Sequence, residues 1–186
     1  LDVFFFFFMT YYEKTKITKQ IGTCLIGIFS LTTFGQESDS LKINRIDSQI
    51  SVIPENPTKE DTFEIIQSSG LISKKKFLLF KKQIGSFHEN VVYENREIHL
   101  IKIYTNLPDV SIIEYYYYNN DELIHYLKKT EKFLKNNQST KNITSAYFDN
   151  KRLITVTENV DFDVNEVLTK SHKNKSDWKE FINRTE

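Results

Sequence analysis

Between Ser40 and Ile53 the apolar residues Ile43, Ile46, Ile50 and Ile53 recur at spacings of three and four, which places them on one face of a helix. Pro54 and Pro57 stop it. Thr58 opens a second predicted helix, with Asp61 three residues beyond the cap, Phe63 and Ile66 on one face, and Gly70 as its end. From about Phe77 to Glu158 the pattern changes to short runs rich in β-branched and aromatic residues, FLLF, NVVY, IHLIKIY, VSIIEYYYY, ELIHYL, ITSAYF and LITVT. Asn, Asp and Gly punctuate them, as expected of strands joined by tight corners. Asp161-Phe162-Asp163 then caps a predicted helix from Val164 to Ser171. The polar stretch to Lys175 reads as a connection, and a last helix starts at Ser176 or Asp177 with Trp178, Phe181 and Ile182.

Inside the strand region one form occurs three times. Tyr93-Glu94-Asn95-Arg96-Glu97-Ile98, Tyr118-Asn119-Asn120-Asp121-Glu122-Leu123 and Phe148-Asp149-Asn150-Lys151-Arg152-Leu153 each run aromatic, polar, Asn, charged, charged, aliphatic. Asn tolerates positive φ, so it suits the first position of a hairpin turn, and the flanking aromatic and aliphatic residues then face one another across two strands. A two-residue loop pairs Tyr93 with Ile98, Tyr118 with Leu123 and Phe148 with Leu153. Arg96, Asp121 and Lys151 stand where Gly normally follows Asn, so a wider loop is the alternative. Unequal spacers separate the three segments, which fits one sheet better than a solenoid. Gly85-Ser86-Phe87 followed by Val92-Tyr93-Glu94-Asn95 and Ile98 resembles one unit of the bacterial MORN-like repeat, and implies no more than a shared hairpin. The fold class is therefore α+β: an antiparallel β-meander of about six strands, FLLF being a candidate seventh, with flanking helices at both ends, those after the sheet covering one of its faces.

The amino end reads differently. Lys14, Lys16 and Lys19 precede an uncharged run from Ile21 to Phe34, and a polar stretch starts at Gly35-Gln36. This is the order of an export signal, and the 14-residue run falls short of the roughly 20 residues that cross a bilayer. Residues 1–35 are assigned to that signal, with the start at Met9 and LDVFFFFF ahead of it. Residues 40–186 form the single domain. Phe34-Gly35-Gln36 resembles the signal exit of exported proteins from Bacteroidetes-type bacteria, which implies a periplasmic or extracellular location. Cys24, the one cysteine, lies inside the run and leaves with it, so the mature chain has no thiol and suits an oxidising compartment. Retention of the run as an anchor is the alternative.

Composition narrows the function classes. Twenty-five basic residues balance 25 acidic ones, which supplies no field to recruit nucleic acid or anionic lipid. Lys outnumbers Arg 21 to 4, a codon bias that weakens the reading of lysine and aromatic runs. Lys74-Lys75-Lys76 and Lys81-Lys82 read as guards of an edge strand. The four histidines, His88, His99, His125 and His172, have no metal-ligand spacing, and counting from the corners sends His99 and His125 to opposite faces. No GxSxG, P-loop or dinucleotide fingerprint occurs. No catalytic residue, metal or cofactor is expected.

The candidate binding residues are Tyr115, Tyr116, Tyr117 and Tyr118, of which alternate members would share a face and could offer a stacking platform. The expected function is an exported non-enzymatic binding or structural protein, with an envelope protein or polymer as partner, no nucleic acid, and no stable membrane span after signal removal. The alternatives are an inhibitor or immunity-like protein acting on an envelope enzyme, and a hydrolase.

Overall fold

In the computed structural model, which describes residues 37–77, 80–134, 138–157 and 162–185, the three Asn-centred corners are two-residue turns. Asn95, Asn120 and Asn150 have φ of 51°, 47° and 50°, and Arg96, Asp121 and Lys151 follow at 67°, 65° and 64°. Two successive positive φ values define the mirrored turn whose twist matches that of the strands. The aromatic and aliphatic flanks pair as expected, Tyr93 with Ile98, Tyr118 with Leu123 and Phe148 with Leu153. One residue further the register slips in every copy, because Val92 pairs with Leu100, Tyr117 with His125 and Tyr147 with Thr155. His99, Ile124 and Ile154 are thus the extra residues of three equivalent β-bulges.

The folded unit spans Asp39–Glu186. It contains a first helix α1 (Asp39–Ser51), seven strands and a last helix α2 (Val164–Arg184). The strands are β1 (Glu64–Phe77), β2 (Phe80–Glu94), β3 (Glu97–Leu107), β4 (Val110–Asn119), β5 (Glu122–Phe133), β6 (Ser139–Asp149) and β7 (Arg152–Thr157). They lie side by side in chain order, every pair antiparallel. The α+β meander is as expected, and its strands number seven, not six. The added strand comes from Glu64–Phe77 rather than from FLLF, whose Phe77 and Phe80 pair across the β1–β2 corner. Leu78 and Leu79 lie outside the described residues, as do Asp161 and the export-signal segment, residues 1–35.

The helix expected from Thr58 to Gly70 does not form. Its capping chemistry is present but serves a single turn, since Thr58 donates from its amide and its hydroxyl to the Asp61 carboxylate at 2.6 and 2.9 Å. The chain then extends, and the adjacent β-branched Ile65 and Ile66 pack on opposite sides of the sheet. A buried sheet covered on both sides accepts that doublet; a one-sided helix does not.

The helix after the sheet covers one face, as expected, and α1 with the segment that follows it packs on the other. Val91, Ile98, Ile101, Tyr116, Tyr118, Tyr126 and Phe148 form the core with Val167 and Ile182 of α2. Val92, Leu100, Tyr115 and Tyr117 form the other, with Ile50, Ile53 and Phe63 packed on it. Full burial of each such side chain contributes roughly 1.5–3 kcal/mol, so both faces stabilise the sheet strongly. Lys42 to Asp149 at 2.7 Å and Tyr147 to Asp47 at 2.8 Å fasten α1 to β6.

α2 is one helix of 21 residues rather than two. Asp163 caps it as expected, accepting from the amides of Asn165 and Glu166 at 2.8 and 3.2 Å. The stretch that reads as a connection carries Ser171 and Lys175, both buried in line with Val167 and Ile182. Tyr118 donates its hydroxyl to the Ser171 carbonyl at 3.1 Å, and the Lys175 ammonium lies 4.8 Å from the Tyr118 ring centre while pairing with Asp121 at 2.6 Å.

Candidate functional site

The tyrosine run alternates between faces as expected, yet it makes no exposed platform. Tyr115, Tyr116, Tyr117 and Tyr118 are 4, 0, 6 and 2% exposed. Tyr115 and Tyr117 stack at 6.3 Å within the α1-side core, and Lys102 places its ammonium 4.9 Å from the Tyr115 ring while paired with Glu55. Tyr116 and Tyr118 lie in the α2-side core. Burial pushes the Tyr117 hydroxyl up to about 12 and those of Tyr116 and Tyr118 higher still. A stacking surface needs an uncovered ring face, and core packing claims all four.

The histidines are also placed differently. Each bulge sets two consecutive residues on the same side, so His99, edge-on to Phe63 at 5.4 Å, and His125, 5.6 Å from Tyr117, both belong to the α1 side. His125 Nε2 and Ser145 Oγ are 2.8 Å apart, but Nδ1 is buried without a partner. Burial holds this imidazole at about 4, which leaves a weak base with no carboxylate to orient it. His88 pairs with Ser69 at 2.8 Å.

On the α2 side the sequence reading missed a polar centre. Glu114 of β4 is buried, and its Oε1 accepts from Tyr126 at 2.8 Å and from Tyr116 at 3.1 Å while Oε2 pairs with Lys170 of α2. Burial alone would raise this carboxyl, but the Lys170 charge and the three donors outweigh it and hold it below its ordinary value. Beside it opens a cavity of about 250 Å³ between the sheet and the first turns of α2, reached by Thr105, Lys128 and Glu166. Proximity of Glu114 to Lys170, 56 residues away, leaves no trace in local spacing.

A second space lies at the sheet margin. β1 pairs with β2 in unbroken register from Glu64 opposite Tyr93 to Ile72 opposite Gly85, and no described strand pairs with its outer side. At the Glu64 end of this margin a groove of about 700 Å³ lies between the start of β1, the β2–β3 corner and the last turns of α2, lined by Glu64, Ile66, Tyr93, Asn95, Arg96, Phe181, Ile182 and Thr185. Tyr93 donates to Glu64 at 2.8 Å across its floor. Phe181 and Leu71 are 46% and 66% exposed. Beyond Ile72 the strand carries two register shifts, a feature that blunts a sheet edge. The open part is therefore Glu64–Ile72.

Neither of these two cavities is lined by histidine. Among the described residues no three His, Cys, Asp or Glu side chains gather as metal ligands. No described helix is long and apolar enough to cross a membrane. Comparison with protein-family models, with curated proteins and with solved structures finds no match for the chain.

Proposed function

We propose that the chain is an exported, non-enzymatic binding protein of the cell envelope, which takes up an extended segment of another envelope protein along the outer edge of β1. The observation that carries this reading is the conjunction of an open edge with a side-chain groove. Backbone groups from Glu64 to Ile72 that face no described strand supply hydrogen bonds to an added one, and the groove beside Ile66 and Phe181 receives side chains at its Glu64 end. The tyrosine platform is closed by burial, which leaves the margin of the sheet as the place of contact. Among the described residues no strand pairs with the outer side of residues 139–143 of β6 either, but neither cavity described above borders them.

Photo-crosslinking in the exporting cell tests the reading. A crosslinking residue at Leu71 or Phe181 is expected to trap the same envelope protein, whereas one at Lys59 traps none, and Phe181→Asp abolishes the adduct formed from Leu71. No adduct from either edge position, or equal adducts from Lys59, would contradict it. Export is tested separately by sequencing the amino end of the mature chain, expected near Gln36.

A further inference from the structure

The cavity beneath the first turns of α2 differs from the β1 groove in its charges. Three of the ionic groups around it are committed elsewhere: Glu114 and Lys170 hold one another, Glu114 with two tyrosine hydroxyls besides, and Asp163 accepts the first amides of α2. Two are not. Lys128 lies directly across β4–β5 from Glu114, yet that carboxylate turns to Lys170, and the half-buried Lys128 has no ion pair or hydrogen bond among the described residues. Glu166, on the helix wall, has no cationic partner there either, and its charge acts on the Tyr126 hydroxyl, which places it towards the cavity.

From this arrangement we infer that the cavity is a binding site for a small zwitterion of the α-amino acid class, its carboxylate on Lys128 and its ammonium on Glu166. A lone anion fits poorly, because Asp163 and Glu166 both border the space. A lone cation leaves Lys128 facing it. A ligand carrying both signs answers both walls, and the Thr105 hydroxyl adds a neutral polar contact. The volume of about 250 Å³ lies below the roughly 300–1,000 Å³ of sites for larger organic ligands, which suits one amino acid or a dipeptide. The site is independent of the β1 edge.

Calorimetric titration of the exported chain tests this with L-alanine and glycylglycine as zwitterions, and with acetate and methylammonium as probes of one charge each. At least one zwitterion is expected to bind saturably at millimolar concentration or below, about tenfold more tightly than either single-charge probe. Lys128→Gln and Glu166→Gln are each expected to weaken it about tenfold, Lys128→Gln with an unchanged melting temperature, since Lys128 has no ion pair or hydrogen bond among the described residues. Absence of saturable binding by both zwitterions would overturn the inference. So would acetate or methylammonium binding as tightly as the zwitterion, or both substitutions leaving its affinity intact.

Discussion

Arg96, Asp121 and Lys151 sit at positive φ without the freedom of glycine, a cost the three hairpins accept in return for a turn that matches strand twist. Lys151→Gly should therefore stabilise the fold by up to about 1 kcal/mol in urea unfolding, the relief of left-handed backbone exceeding the added entropy of the unfolded chain. Gly85 is the opposite case, because a Cβ there would stand 2.2 Å from the backbone oxygen of Asn106. Gly85→Ala is expected to cost about 2 kcal/mol or more, since a backbone atom cannot swing aside. For Glu114 the asymmetry of buried hydrogen bonds decides the magnitude. Glu114→Ala strands two buried hydroxyls and should cost about 2–4 kcal/mol, whereas Tyr126→Phe leaves the carboxylate its other donors and should cost about 1 kcal/mol. His125 gives the fold a pH dependence. Its pKa is about 4 in the folded chain against 6.5 ordinarily, so between those values the unfolded chain binds the proton first. The contribution is present above about pH 6.5 and is lost as pH falls towards 4, amounting to at most about 3 kcal/mol. His125→Gln should flatten that part of the pH–stability curve by a comparable amount, measured against the parent chain.

At the scale of elements, what the sequence disclosed was local. The pairs Tyr93 with Ile98, Tyr118 with Leu123 and Phe148 with Leu153 follow from a six-residue form, because turn chemistry and facing side chains sit within reach of one another. The bulges were not legible, since an extra residue announces itself only against its partner strand, and this is why His99 and His125 were assigned to opposite faces. α2 was split for a related reason. Ser171 and Lys175 look like linker residues until Tyr118 and Asp121 of distant strands give them partners. Spacings of four, four, three and four through Val167, Ser171, Lys175, Trp178 and Ile182 carried the signal of one face, hidden by polar side chains. Amides from His172 to Lys175 should accordingly exchange as slowly as those of the flanking turns; a fast-exchanging segment there would restore two helices.

For the whole molecule, the decisive fact is that both faces of the meander are covered, by α1 and by α2. The polar centre at Glu114 lies under α2 and that at Lys102 is closed by Glu55 of the segment after α1, and the tyrosines that looked like a recognition surface became the core. Among the described residues the outer side of β1 has no neighbouring strand, and the groove at its start gives that margin a shape. The lysines around Lys74 hinted at an edge strand, but which strand stands at the margin was not readable beforehand, because an edge is defined by which strand has no neighbour. Amide hydrogen exchange resolved along β1 in the free chain tests the claim most directly. Every second amide from Glu64 to Ile72 is expected to exchange orders of magnitude faster than its neighbours, against even protection along the doubly paired stretch from Phe87 to Val92. Uniform slow exchange along β1 would mean that its outer side is already paired, and would contradict the account.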